Sequence, residues 1–202
     1  MTIHLSTPLD GQAVRRLKVG DRLTFDGRLF TARDAAHRKI LEAVRHNESL
    51  PFDPTGLALY HCGPVVRQVE GGWDVVSAGP TTSARMESLQ PDVLRVLGIR
   101  LVIGKGGMGP ATLATLREVG AVYAQFTGGA GALSARSLAE VASVHWLDEL
   151  GMPEAVWIFE AAGFGPLIVT MDAHGMSLHD EQATRVSHRL AKIHARIDGI
   201  SG

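Results

Sequence analysis

The chain has 202 residues, 45% hydrophobic and 20% charged, with 20 Lys and Arg against 21 Asp and Glu. This globular composition and a formal net charge of −1 exclude a global field for nucleic acid or an anionic membrane, so any positive field for an anionic ligand has to be local. A single cysteine, Cys62, excludes an intrachain disulfide, a zinc ribbon and an iron–sulfur cluster held by this chain.

Met1–Asp10 lacks the basic and apolar regions of a secretory signal. The longest apolar runs, such as Leu167–Met171, fall far short of the ~20 residues that span a bilayer. The expectation is a cytoplasmic protein with neither membrane nor nucleic acid as partner.

In chain order, Leu17–Phe25 alternates apolar and polar residues around Gly20-Asp21. Asp26-Gly27 then gives a hairpin signal before Arg28–Thr31, so the opening predicts a small β-meander. Asp34 to about Arg45 reads as a helix with Ala35, Ile40, Leu41 and Val44 apolar and Asp34 as N-cap. Leu57–His61 and Trp73–Ser77 read as short strands, followed by a helical turn after Thr81 and a helix over Pro91–Leu97. Leu101–Ile103, ending at Gly104, has the unbroken apolar character of a buried parallel strand. Helix Ala111–Val119, strand Ala121–Phe126, a Gly turn and helix Ser134–Glu140 continue the alternation. Strands Ala155–Phe159 and Pro166–Met171 follow, then a solvated amphipathic helix over about 179–198. The pattern predicts one mixed, layered α/β domain over residues 1–202, with a parallel sheet in its second half.

Three segments could carry chemistry. In Gly79-Pro80-Thr81-Thr82-Ser83-Ala84-Arg85-Met86, hydroxyls crowd a predicted helix start, where backbone N–H groups suit an anion. Thr81 and Arg85 stand four apart, on one helical face; a capping threonine with a surface arginine is the competing reading. In Gly104-Lys105-Gly106-Gly107-Met108-Gly109, Lys105 falls at the carboxyl end of a strand, where α/β sheets place ligands. The segment matches neither a Walker loop nor a dinucleotide fingerprint, and a plain flexible turn suits it equally. In Thr31-Ala32-Arg33-Asp34-Ala35-Ala36-His37-Arg38, Arg33 and His37 could face the same way, or simply decorate an exposed helix start. His61 beside Cys62 has no second His or Cys at ligand spacing, and His145, His174 and His179 are scattered, so metal binding by this chain is not expected. Jointly, two arginines and a lysine at strand mouths or helix starts suit a small dicarboxylate: guanidinium forks meet carboxylates bidentately, and an ammonium adds a movable point charge.

Thr31–His37, Tyr60-His-Cys-Gly-Pro64, Gly79–Met86, Gly104–Gly109 and Phe164-Gly-Pro-Leu-Ile are similar to the beta subunits of L(+)-tartrate dehydratase and two-subunit class I fumarases. His145-Trp146, Glu149–Pro153 and Asp172-x-His174-Gly175 extend the likeness. In single-chain class I fumarases the same module forms the C-terminal domain. The resemblance runs in order from about residue 7 to 178, and Gly79-Pro-Thr-Thr is its most specific block.

It implies a swivelling β/β/α fold with mixed sheets. It also implies a partner alpha subunit whose cysteines hold a [4Fe–4S] cluster, acting as Lewis acid on substrate, in an α2β2 assembly. The reaction implied is reversible hydration of fumarate to malate, or dehydration of L-tartrate, with mesaconate as a variant substrate. Residue by residue, Thr81 matches the proposed base and Arg85 a substrate-binding arginine. Lys105 and Arg33 match further carboxylate-binding positions, and His37 is a candidate acid/base residue. Gly106-Gly107-Met108-Gly109 departs from the polar turn of single-chain fumarases and is closer to the two-subunit enzymes. A stand-alone dicarboxylate-binding module that lost its catalytic partner is the alternative.

Overall fold

The computed structural model describes residues 1–198. Its elements are β1 (Thr2–Ser6), α1 (Gly11–Arg15), β2 (Arg22–Thr31), α2 (Asp34–Arg45), β3 (Ala58–Tyr60), β4 (Val65–Val69) and β5 (Gly72–Ser77). A 3-10 turn over Ser83–Met86 precedes α3 (Gln90–Leu97), β6 (Leu101–Gly104), α4 (Pro110–Val119), β7 (Val122–Gln125) and α5 (Gly131–Arg136). Then come β8 (Leu138–His145), α6 (Leu147–Leu150), β9 (Val156–Met171) and α7 (Leu178–Asp198). Among the described residues no helix is long and apolar enough to cross a membrane.

Strands β2, β3, β6 and β7 are parallel neighbours in that order, and β9 runs antiparallel to both β7 and β2. The five strands therefore close into a ring. Strand β1 extends the sheet beside the first half of β2, and β8 beside the first half of β9. Because β2, β3, β6 and β7 are mutually parallel, their carboxyl ends share one rim.

Side chains alternate across the strands. Leu23, Phe25, Tyr60, Ile103, Phe126 and Phe164 belong to one core, against which Trp73 and Val75 of the β4–β5 hairpin also pack. Phe30, Leu59, Val102 and Tyr123 lie in a second core beneath α2, α3 and α4. The result is a hairpin layer, a strand layer and a helix layer: the β/β/α order, with mixed strand directions, that the sequence resemblance implies. Helix α2 forms where expected because Ala36, Ile40 and Ala43 recur on one buried face. Its N-cap is Arg33 in extended backbone, and Asp34 is the first helical residue, so the helix begins one position earlier than an Asp34 cap would place it.

Three local readings change. Asp26-Gly27 is no hairpin: β2 runs straight through it, with Gly27 at φ +94°. Thr7 N–H donates to the Asp26 carbonyl and Arg28 N–H to Thr7 Oγ1, so β1 secures the kink. The two strands predicted over 155–171 are one 16-residue strand, β9. Gly163 and Gly165 are bulges within it rather than breaks: Phe25 to Gly27 of β2 stands opposite Phe164 to Ala161, two residue steps against three. Bulges bend and twist a strand, and here they let β9 turn from β8 and β2 towards β7. Helix 134–140 is instead α5 followed by β8, because Leu138–Val144 finds its pairing on the free edge of β9. The C-terminal helix occupies Leu178–Asp198.

Phe164 contacts Tyr60 and Phe126 with ring centroids 5.2 and 5.1 Å apart. Phe164→Ala should lower unfolding free energy in urea by ~3–5 kcal/mol, the usual cost of a large aromatic cavity. A loss below about 1 kcal/mol would mean that the ring does not depend on this stack.

Candidate active site

The shared rim carries Arg33 after β2, His61 after β3, Lys105 after β6 and Thr127-Gly128 after β7. Into it is laid the extended segment Pro80–Ser83. Thr81 N–H donates to the His61 carbonyl (2.8 Å) and Ser83 N–H to the Lys105 carbonyl (3.0 Å). Pro80 bridges Cys62 and Thr82 bridges Lys105. This piece of backbone wedges between the ends of β3 and β6 and sets Thr81 beside His61 and Thr82 beside Lys105. Thr81 is therefore extended and not on a helical face with Arg85, and its amide serves the fold rather than an anion.

Arg85 lies in the 3-10 turn, half-exposed, with Nη2 2.6 Å from Asp34 Oδ2 at the start of α2. Arg33 is more enclosed: Nη2 is 3.2 Å from Glu154 Oε1, and both side chains are 20% exposed. Glu154 Oε2 also accepts the Ala35 amide, which ties it to the start of α2. Arg33 Nε is buried without an acceptor. A Cβ on Gly63 would come within 2.5 Å of Arg33 Nη1, so glycine is needed there for the guanidinium to lie flat. Lys105 is half-buried and, among the described residues, has no carboxylate partner. Its stem runs against Gly128, where a Cβ would approach within 2.9 Å. The structure thus brings Arg33, Thr81, Arg85 and Lys105 to one rim.

The Gly-rich turn after Lys105 does not offer the start of α4 to a ligand. Glu87 takes it, accepting from Gly109 N–H (2.7 Å), Thr112 N–H (3.1 Å) and Thr112 Oγ1 (2.7 Å). A carboxylate at a helix N-terminus is stabilised by the orphan amides and the dipole. Glu87 therefore fastens this turn, and the donors free for a ligand are side chains.

His37 is not where the sequence placed it. It does not face the rim with Arg33: its ring is fully buried, with Nδ1 2.8 Å from the Arg33 carbonyl oxygen and Nε2 3.0 Å from Gln90 Oε1. His61 lies across Gln90 from it, Nε2 2.7 Å from the same Oε1 and Nδ1 2.9 Å from Ser83 Oγ. Ser83 Oγ also meets Lys105 N–H (3.2 Å) and Tyr123 Oη (2.9 Å), and Tyr123 Oη reaches the Gly106 carbonyl (3.0 Å). Gln90 and Tyr123 carry no sequence motif of their own, and Ser83, though inside the Gly79–Met86 string, is marked there only as one of the hydroxyls at a helix start. His61 stands in the Tyr60–Pro64 string, where its neighbour Cys62 raises only the question of a metal.

Burial pushes the His37 pKa down from 6.5, and burial with His37 close by brings His61 to about 3. Burial drives the Cys62 thiol far up. Among the described residues no three His, Cys, Asp or Glu side chains gather where they could hold a metal ion, so this chain's own donors do not fit a cluster.

Cationic side chains converging on the ends of parallel strands in an α/β domain suit an anionic ligand. The chain belongs to the family described as Fumarase C-terminus, whose model matches residues 1–182. It is 46% identical over 180 residues to a Methanocaldococcus jannaschii protein provisionally named L(+)-tartrate dehydratase subunit beta, covering 89% of this chain and 92% of that one. It is 40% identical over 185 residues to the L(+)-tartrate dehydratase subunit beta of Escherichia coli, covering 92% and 90%. A longer Geobacillus stearothermophilus protein, provisionally named fumarate hydratase class I, is 43% identical over 180 residues, 89% of this chain but 34% of that one.

The buried histidines predict a pH dependence. Their folded pKa values lie below 6.5, so below that pH the unfolded chain binds protons that the folded chain does not. Stability is then complete above about pH 6.5 and falls as the pH drops towards 3. The urea midpoint should fall between about pH 7 and pH 5, where ordinary carboxylates stay charged, and fall less in His61→Asn. A flat midpoint in the unaltered chain would mean that the folded rings take up protons freely.

Proposed function

We propose that this chain is the beta subunit of an iron–sulfur hydro-lyase that reversibly adds or removes water on a small dicarboxylate, fumarate/malate or L-tartrate/oxaloacetate. It would act as a single domain, in the cytoplasm, with an alpha subunit that holds the [4Fe–4S] cluster on its own cysteines, in an α2β2 assembly. The observation that carries the reading is the convergence of Lys105, Arg33 and Arg85 on one rim of a chain whose net charge is only −1.

Each residue has a chemical part. Asp34 and Glu154 each engage one nitrogen of an arginine. They hold the two forks in place while leaving N–H groups for substrate carboxylates. Lys105 supplies a point charge, and a charge-assisted hydrogen bond of this kind is worth roughly 1.5–3 kcal/mol. Thr81 offers a hydroxyl one residue before Thr82, which pairs with Lys105; with that ammonium close by, alkoxide character would cost less and Thr81 would hold or pass a proton at Oγ1. His37, sealed beneath the rim, acts on substrate only through Arg33. The names of the relatives support both halves of the reading: a tartrate dehydratase described as a subunit, and a class I fumarate hydratase containing a module like this chain.

Anaerobic co-expression with a candidate alpha subunit, followed by assay of fumarate, malate and L-tartrate, tests the proposal. In that complex Arg85→Ala and Lys105→Ala should each lower kcat/KM by ~10²-fold or more, with kcat and KM both affected. Near-unaltered kinetics would defeat the clamp, and no complex with no turnover would favour a stand-alone binding module.

A further inference from the structure

The hydrogen bonds beneath the rim admit one polarity. A backbone carbonyl only accepts, so His37 Nδ1, 2.8 Å from the Arg33 oxygen, must carry a hydrogen. No carboxylate among the described residues bonds the fully buried ring, and burial outweighs the pull of Asp34 and Glu154, so it is neutral, which leaves His37 Nε2 as a lone pair in need of a donor. Among the described residues Gln90 is the one hydrogen-bond partner of that nitrogen, and the same end of the Gln90 amide faces His61 Nε2, while the other arm is buried without a partner. Amide oxygen and nitrogen exchange places by a half-turn of the side chain. With the NH2 group turned to the rings, each hydrogen meets one imidazole lone pair. The group left over is then a carbonyl, which is tolerated unpaired more readily than an N–H.

The remaining directions follow. His61 Nε2 accepts, so its Nδ1–H donates to Ser83 Oγ. Ser83 Oγ already receives the Lys105 amide hydrogen, so its own hydrogen goes to Tyr123 Oη. Tyr123 then donates to the Gly106 carbonyl. Every hydrogen on this route has one acceptor. Space is tight around it: at Gly104 a Cβ would overlap Ser83 Oγ and lie 2.9 Å from Tyr123 Oη. The rings meet edge-on at 60°, centroids 5.4 Å apart.

We propose that Gln90 is a positioning residue. It donates both amide hydrogens to two neutral imidazoles and so sets hydrogen bonds that run outward from it in both directions, with the Arg33 carbonyl anchored at one end. The other end holds the Lys105 amide and Gly106 carbonyl. Two cations contributed by different strands are thereby held in register by a single amide in the second core. The proposal rests on the reading of Arg33 and Lys105 as substrate clamps, and it predicts that loosening either end shifts substrate affinity and not only stability.

Two measurements test it. In the full-length chain labelled with 15N at histidine, His37 and His61 should both be neutral at about pH 7 and both protonated on Nδ1. A proton on Nε2 of either ring, or a charged ring, would overturn the chain's direction, whatever the enzyme does. In the complex with the alpha subunit, Tyr123→Phe keeps the ring but frees the Gly106 carbonyl. It should raise KM for the dicarboxylate by ~5-fold or more beyond any change in melting temperature, and Ser83→Ala should do the same. If both variants lose only stability while Arg85→Ala abolishes turnover, the clamps stand and the positioning role fails. If Arg85→Ala is harmless, the site reading fails, and the tautomers still decide whether Gln90 sets the chain.

Discussion

Closure of the strand ring by β9 is the constraint on which the rest depends. One strand of 16 residues pairs with β8, β2 and β7 in turn, and it can do so only because glycine bulges bend it. Once it closes the ring, the four parallel strands have no freedom to splay, and whatever follows each of them arrives at the same rim. Arg33, His61, Lys105 and Gly128 are far apart in sequence and become neighbours by this topology alone. The wedge Pro80–Ser83 then fills the gap between β3 and β6 and brings a pair of hydroxyls with it.

The site beneath this rim is costly to build. Two imidazoles, an amide, a serine and a tyrosine hydroxyl are withdrawn from water in a layer otherwise made of Phe30, Leu59, Val102 and similar side chains. Each unpaired polar group there would cost on the order of 1–3 kcal/mol, so the network is stable only if nearly complete. That requirement makes it rigid, and rigidity is what a small diacid demands of its clamps: a misplacement of an ångström in a fork costs much of its binding. The half-exposed ion pair Arg85–Asp34 adds orientation more than stability, since exposed pairs contribute little on their own.

Much of this was legible in the sequence. Apolar runs ending at Gly104 and Phe126 announced parallel strands, the helical spacing of Ala35, Ile40, Leu41 and Val44 announced α2, although Val44 is exposed and Ala36 buried in its place, and the strings around Arg33, Thr81 and Lys105 announced cations at strand ends. What could not be read has a common cause. Asp26-Gly27 and Gly163-Phe164-Gly165 are strong turn signals locally, and only pairing with distant strands turns them into a kink and bulges within long strands. Gln90, Ser83 and Tyr123 have no spacing of their own, because a hydrogen-bond chain that crosses four elements leaves no periodicity in any of them. His37 was found for its motif and misplaced in space: four residues after Arg33 it follows the helix inward, and its ring bonds back to the residue it was expected to stand beside.

As proposed, this chain is half of an anion site: cations held rigidly on one rim, with the remaining surface of the diacid to be met by a partner. Titration calorimetry with a non-reacting four-carbon diacid such as succinate addresses that directly, in the chain alone and in its complex with the alpha subunit. The expected result is binding at least ~10-fold tighter in the complex, weakening in both as salt is raised. Equal affinity in the two, or binding indifferent to salt, would contradict it.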